Sequence, residues 1–197
     1  MHSNPESIDE AARLQAMSLQ ELWELFPISL VAPKPEWAQR YQSMELRLRE
    51  MLFDVEDVRI SHIGSTAIMG IWAKDIVDIL VEVGAQHSLD AMAERLERNG
   101  FIRMSESPSR ISLNYGYTLD GFGEEVFHVH LRHCGDNDEL YFRDYLNEYP
   151  GVAEDYQWLK LSLWREREYN RDAYTEGKAE FVRKWTEEAK RVYKGRY

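Results

Sequence analysis

The run Ser61-His62-Ile63-Gly64-Ser65-Thr66-Ala67 passes from a β-prone segment into a turn of small residues. Glycine allows close backbone approach, serine and threonine supply hydroxyls, and exposed N–H groups in such a turn can hold phosphate. His62, Gly64, Ser65 and Thr66 are therefore candidate phosphate-binding residues, although a plain capping turn uses the same residue types. Further on, Asp78 interrupts the otherwise apolar run Ile76-Val77-Asp78-Ile79-Leu80-Val81. A carboxylate buried there is costly unless it is paired, hydrogen-bonded or bound to metal. Asp78 is either a metal ligand or a structural cap on the Gly64 turn, and Ser65 and Asp78 are the candidates for direct catalytic roles. Strand alternation puts Asp78 and Glu82 on one face but about 13 Å apart, from a rise of ~3.3 Å per residue. That is too far to share one ion, so Glu82 is expected at a solvated strand end.

A second constellation lies in Phe127-His128-Val129-His130-Leu131-Arg132, where alternation places His128, His130 and Arg132 on one face. Two imidazoles at this spacing can ligate a metal or donate to phosphate, and Arg132 adds charge; exposed-face histidines show the same pattern. His130 lies deeper in the apolar run. Lys74, Arg110, Arg143, Lys160 and Lys178 are further cations to weigh as anion partners against ordinary surface pairing, which Glu176 and Glu180 offer Lys178. Tyr156, Trp164, Tyr174 and Trp185 are expected to pack helices. Cys134 is the single cysteine, so no intrachain disulfide forms and the thiol reads as a bystander.

The elements that must position these groups follow from periodicity. Residues 1 to about 10, polar and containing Pro5, read as a loose tail. Residues 11–26 read as an amphipathic helical extension with Leu14, Met17, Leu22 and Leu25 on one stripe, and Ser18 can cap an internal break. Ile28 to Val31 is short and β-prone, and a helix is expected near 37–52. Strands are expected at 58–62 and 76–83, a helix at 89–98 capped by Ser88 and closed by Asn99-Gly100, and a β-meander at 101–104, 111–118 and 126–131. Three helices follow at about 138–148, 151–168 and 172–194. The expected fold is one α/β or α+β domain over 1–197, a mixed sheet flanked by helices with a helical C-terminal third.

Composition limits the partners. The chain has 197 residues, 44% of them hydrophobic, and a net charge of -11. Such a charge repels phosphate backbones and anionic membranes, so neither general nucleic-acid binding nor membrane attachment is expected; a small anion held by local cations is compatible with it. No apolar run approaches the roughly 18 residues of a membrane span, and the first residues lack a signal-peptide pattern, so a cytoplasmic protein is expected. Nothing specifies an oligomer beyond monomer or homodimer, the latter through the N-terminal helix.

HIGSTAIMGIWAKDIVDILVEV (62–83), NYGYTLDGFGEEVFHVHLR (114–132), FRDYL (142–146) and YTEGKAEFV (174–182), preceded by LWELFPISLV (22–31) and EW (36–37), closely resemble the GrpB family. The likeness covers nearly the whole chain after about residue 18. It implies a nucleotidyltransferase-like fold in which Gly64-Ser65 corresponds to the phosphate-holding turn and Asp78 to the first metal-binding carboxylate. The position two beyond Asp78, acidic in active members of that superfamily, is Leu80 here, and a third carboxylate is replaced by the His128/His130 segment. Two-metal phosphoryl transfer needs carboxylates bridging ions about 3.5–4 Å apart. The resemblance therefore implies binding of a nucleotide or phosphorylated small molecule, with two outcomes open. One is metal-dependent nucleotidyl or phosphoryl transfer, with Gly64, Ser65 and Lys74 at the phosphates and a divalent metal on Asp78, His128 and His130. Mg²⁺ or Mn²⁺ is placed ahead of Zn²⁺, and no organic cofactor is expected. The other is a non-catalytic anion-binding or scaffold protein with a degenerate site, using Arg132, Arg143, Lys160 and Lys178.

Overall fold

A computed structural model describes residues 5–197, with side chains for residue 10 and residues 12–197. Among the described residues, seven α-helices surround five strands: α1 (Pro5–Ala16), α2 (Leu19–Leu25), α3 (Glu36–Met51), β1 (Arg59–Ile63), β2 (Val77–Val83), α4 (Leu89–Glu97), β3 (Ile102–Ser107), β4 (Arg110–Thr118), β5 (Gly121–His133), α5 (Asp138–Glu148), α6 (Pro150–Arg167) and α7 (Arg171–Val192). The sheet order is β1-β2-β5-β4-β3. Only β2 and β5 run parallel; the other neighbours are antiparallel. This is the mixed α+β arrangement expected, with its helical C-terminal third.

Alternation along β2 and β5 divides the molecule. Val77, Ile79, Val81 and Val83, with Phe127, Val129 and Leu131, face a wholly apolar core closed by Trp37, Met44 and Leu48 of α3 and Met92, Ala93 and Leu96 of α4. Each fully buried aliphatic side chain there contributes about 1.5–3 kcal/mol. The opposite face carries the polar row. The parallel register sets Asp78 beside His128, Leu80 beside His130 and Glu82 beside Arg132, and β4 adds Asn114 beside His128. Helices α5 to α7 cover this face around Tyr141, Phe142, Tyr145, Tyr156 and Ala189.

Several expectations need correction. The loose tail is helical from Pro5, since proline is tolerated in a helix's first turn; residues 1–4 lie outside the described residues. The helical extension over 11–26 is broken at Ser18, the internal cap the sequence offered: its hydroxyl accepts from the Glu21 N–H while the Glu21 carboxylate accepts from the Ser18 N–H at 2.8 Å. Ile28 to Val31 forms no strand, only a bridge from Val31 to Ala73. Glu82 is not solvated. It is 0% exposed, accepting from Gly135 N at 3.1 Å, from Asn137 Nδ2 at 3.0 Å and from Arg59 Nε at 2.6 Å. A charge so paired can be buried at the strand end. The last strand is longer than 126–131 because β4 continues to pair past a register shift between Tyr115 and Tyr117. Among the described residues no helix is long and apolar enough to cross a membrane.

Candidate functional site

At the end of β1 the chain turns at Gly64, with φ +69° and ψ -170°, a combination that side chains other than glycine's essentially never adopt. A 3-10 turn over Ser65–Ala67 follows. His62 and Thr66 hold this turn from beneath: His62 Nε2 lies 3.0 Å from Thr66 Oγ1, and the imidazole stacks on Tyr41 at 4.9 Å. Burial pushes the His62 imidazole down to about 4, so it is neutral near pH 7. Ser65 faces the other way, into a cavity of about 550 Å³ bounded by β2, β5, α6 and α7.

Asp78 forms the floor of that cavity. Its Oδ1 is 3.1 Å from His128 Nδ1 and 3.7 Å from His130 Nε2. Burial alone would raise this carboxyl, but the His128 hydrogen bond and positive potential from both His128 and His130 hold it well below the usual carboxylate range. On the far side of His128, Nε2 lies 2.8 Å from the Tyr117 hydroxyl, which accepts from Arg171 at 3.0 Å. With its oxygen taken by Arg171, the Tyr117 hydroxyl donates to His128 Nε2, and His128 Nδ1–H donates to Asp78. The register shift at Gly116 brings Tyr117 to this face while Tyr115 stays in the core.

Cations line the opposite wall. Lys74 Nζ lies 5.2 Å and Lys178 Nζ 4.4 Å from the same Tyr174 ring centroid, and Lys160 Nζ lies 4.8 Å from that of Tyr156. Lys160 is 1% exposed and donates to the Trp72 carbonyl. Burial, then the charges of Arg171 and Lys178, push the Lys74 ammonium down to about 7, against the pull of Asp78. Burial, then Lys178 and Lys74, do the same to Lys160, also to about 7. Lys178 is lowered by burial. Arg171 and Lys178 thus raise the cost of charging Lys74, and Lys178 and Lys74 that of charging Lys160.

Of the residues singled out in the sequence, the fold brings Ser65, Lys74, Asp78, His128, His130, Lys160 and Lys178 to this one cavity. Five expected phosphate or anion partners lie elsewhere: His62 and Thr66 bond each other within the turn, Gly64 lines an adjoining cavity, and Arg132 and Arg143 are held in ion pairs. Arg132 pairs with Glu139 at 2.7 Å and is 7% exposed, and Arg143 pairs with Asp144 at 2.6 Å while donating to the His62 carbonyl at 2.8 Å. Sequence reading missed Arg171 and Asn114, which also line the cavity. Asn114 had a usable signal, a polar residue between Leu113 and Tyr115 of a buried strand; Arg171, in an ordinary helix start, had none. A second cavity of about 550 Å³, with Phe142, Tyr156, Ala179 and Val182 in its wall, adjoins the first and shares Thr175 and Lys178 with it.

The donor set does not fit a two-metal centre. Asp78 Oδ1 is engaged, both nitrogens of His128 are committed, and Glu82 is turned to Arg59. Leu80, at the second acidic position, is 0% exposed and packs with Ile63 and Leu140. Among the described residues no three His, Cys, Asp or Glu side chains gather in a metal-holding group.

The family described as GrpB protein matches residues 27–188. The UPF0157 protein YqkA of Bacillus subtilis (strain 168) is 30% identical over 190 residues, which is 95% of this chain; the chain spans only 54% of that protein's length. The crystal structure of the conserved protein GrpB from Enterococcus faecalis superposes with a TM-score of 0.72 at 28% identity, covering 84% of this chain and 99% of that one. Cid1 poly(U) polymerase, in its Mg 3'-dATP-bound structure, gives a TM-score of 0.50 at 12% identity over 81% of this chain and 51% of its own, a likeness of fold alone. By the match over 27–188 and the fold it shares with these structures, the chain belongs to the GrpB family and is built on a nucleotidyltransferase-like fold.

Proposed function

We propose that the protein binds the phosphate groups of a nucleotide or other phosphorylated small molecule in the cavity between Ser65, Asp78 and the lysines. The observation that carries this reading is the convergence of Lys74, Lys160, Lys178 and Arg171 on one cavity in a chain whose net charge is -11. Cations buried beside one another repel, and an anion placed among them removes that repulsion. The Ser65 turn supplies hydroxyl and backbone donors at the same place. The adjoining cavity, where Phe142, Tyr156 and Val182 stand beside the charged side chains of Asp138, Glu139 and Glu187, has room for the rest of the ligand.

A second reading, phosphoryl or nucleotidyl transfer, draws on His130. Its Nε2 stands 3.7 Å from Asp78, beyond hydrogen-bonding distance, and the ring lines the cavity, where it could take a proton from an acceptor hydroxyl. Fold likeness adds nothing to this, because function is carried by the site.

Calorimetric titration of ATP, ADP and pyrophosphate into the protein, and into Lys74→Gln and Lys178→Gln, tests the binding reading. Saturable binding weakened about tenfold or more by each substitution is expected, from the loss of a charge-assisted contact. Heats flat for every phosphorylated ligand, or affinities untouched by both substitutions, would sink it. Release of phosphate or pyrophosphate on incubation with acceptor alcohols, lost in His130→Gln, would promote the transfer reading.

A further inference from the structure

Resting on the phosphate-binding reading above, we propose that the ligand carries two or more linked phosphates and that the cavity holds them without a divalent cation. The ammonium groups of Lys74, Lys160 and Lys178 and the Arg171 guanidinium would supply the positive charge that metal ions supply elsewhere.

Two independent features of the cavity lead here. The first is how little a metal would find. A hard divalent ion wants several oxygen ligands from carboxylates, carbonyls and water. Asp78 Oδ1 is already bound by His128, and the remaining oxygen, Oδ2, is the atom that lies against Gly64. The one other carboxylate in the wall, Asp172, is an exposed residue in the first turn of α7. Any ion beside Asp78 would also face Lys74 and Lys178, whose charges already couple to that carboxylate.

The second feature is what occupies the place instead. Two ammonium groups share the Tyr174 ring, a third sits on Tyr156, and Arg171 is held by Tyr117. Aromatic faces and one carbonyl orient these cations without neutralising them. Four positive groups against Asp78 and Asp172 leave a surplus of at most two, which one doubly ionised phosphate already matches, so charge alone does not fix the number of phosphates. Placement is what favours a diphosphate or triphosphate: the cations stand on separate parts of the wall, Lys160 at Tyr156, Lys74 and Lys178 at Tyr174 and Arg171 at Tyr117, so that linked groups can bridge the Lys160 and Arg171 sides of the cavity. Arginine and lysine both bind phosphate well in this role, arginine as a fork and lysine as a point charge.

The test titrates inorganic pyrophosphate, tripolyphosphate and orthophosphate into the full chain in EDTA and again in saturating Mg²⁺ or Mn²⁺. Expected is binding of pyrophosphate or tripolyphosphate in EDTA at least about tenfold tighter than orthophosphate, with affinity unchanged or reduced when metal is added, because the ion competes for the same oxygens. Binding that appears only with metal overturns the proposal while leaving the phosphate site standing. Orthophosphate binding as tightly as pyrophosphate overturns the part that concerns linked phosphates. No binding under either condition removes the site itself. A second measurement separates a charge role from a packing role: Lys178→Met should raise the melting temperature of the ligand-free protein while weakening pyrophosphate about tenfold or more. A lysine with only a structural function would lower stability on substitution, and that result, with pyrophosphate affinity intact, overturns the proposal as well.

Discussion

A Cβ atom placed on Gly64 would lie 2.2 Å from Asp78 Oδ2 and 2.8 Å from Asp78 Cβ. The turn and the strand carboxylate are therefore fitted to each other with no side chain's width between them. Gly64→Ala must move Asp78 or unwind the turn, and it also forces alanine into a backbone region that only glycine occupies at low cost. We expect a loss of about 2–4 kcal/mol, read as a shift of the urea midpoint at constant slope. A variant within about 0.5 kcal/mol of the parent would show that the turn and Asp78 are not in contact.

The buried lysines predict a pH dependence whose sign can be worked out. Lys74 and Lys160 are pushed down to about 7 in the folded chain, from an ordinary value of 10.5. The unfolded chain therefore binds more protons between those limits. The penalty is complete below about pH 7 and is relieved as pH rises toward the ordinary lysine value. Lys74→Met should accordingly stabilise the ligand-free protein near pH 6.5 and confer little advantage near pH 10, as measured by paired denaturant titrations. An advantage that grows with pH would reverse the assignment.

The same two groups make anion binding proton-linked. A bound polyanion favours the charged ammonium, so above about pH 7 binding takes up protons and affinity falls as pH rises, by at most about tenfold per pH unit for each lysine. Calorimetry of pyrophosphate in buffers of different ionisation enthalpy reads the uptake directly. Enthalpies independent of buffer near pH 8 would mean that the lysines are already charged in the free protein.

How far these groups could be read from the chain depended on the physics that placed them. Ser18, Ser88 and Asn99-Gly100 act locally, through caps and a left-handed turn at Gly100, and the helix boundaries they imply match closely. Period-two alternation set Asp78 on one face of 76–83 and His128 with His130 on one face of 127–132; that the two faces coincide follows from the parallel pairing of β2 with β5. Lys74, Lys160 and Lys178 were visible only as cations. That three of them meet around Tyr174 and Tyr156 depends on how α6 and α7 cross the sheet, which no local pattern encodes. Glu82 was misplaced for a related reason: its partners Arg59, Gly135 and Asn137 come from β1 and the loop after β5.

That buried Glu82 offers a clean energetic test. Glu82→Ala strands the buried Asn137 amide, takes the acceptor from the Gly135 N–H and frees Arg59, which retains access to water. A loss of about 3 kcal/mol is expected, at the lower end for a broken buried pair because the arginine is partly solvated. Thermal and urea unfolding would both register it. A change below about 1 kcal/mol would mean that the loop after β5 relaxes to let water in.

Tyr117 connects the two sides of the cavity, and its hydroxyl can be removed without changing the ring. In Tyr117→Phe the aromatic contacts with Phe26, at 4.6 Å, and Phe122, at 5.2 Å, are retained. What is lost is the acceptor for Arg171 and the donor to His128 Nε2, leaving that nitrogen without its partner beside Asp78. The stability cost should be about 1–2 kcal/mol, the usual penalty for a buried hydrogen bond with one partner deleted. The effect on anion binding discriminates further. If Tyr117 serves to aim Arg171, pyrophosphate affinity falls severalfold in Tyr117→Phe, and Arg171→Ala made on top of it costs less than Arg171→Ala made alone. Strict additivity of the two substitutions would show that Arg171 reaches its ligand unaided, and that the Asp78, His128 and Tyr117 chain serves the fold alone.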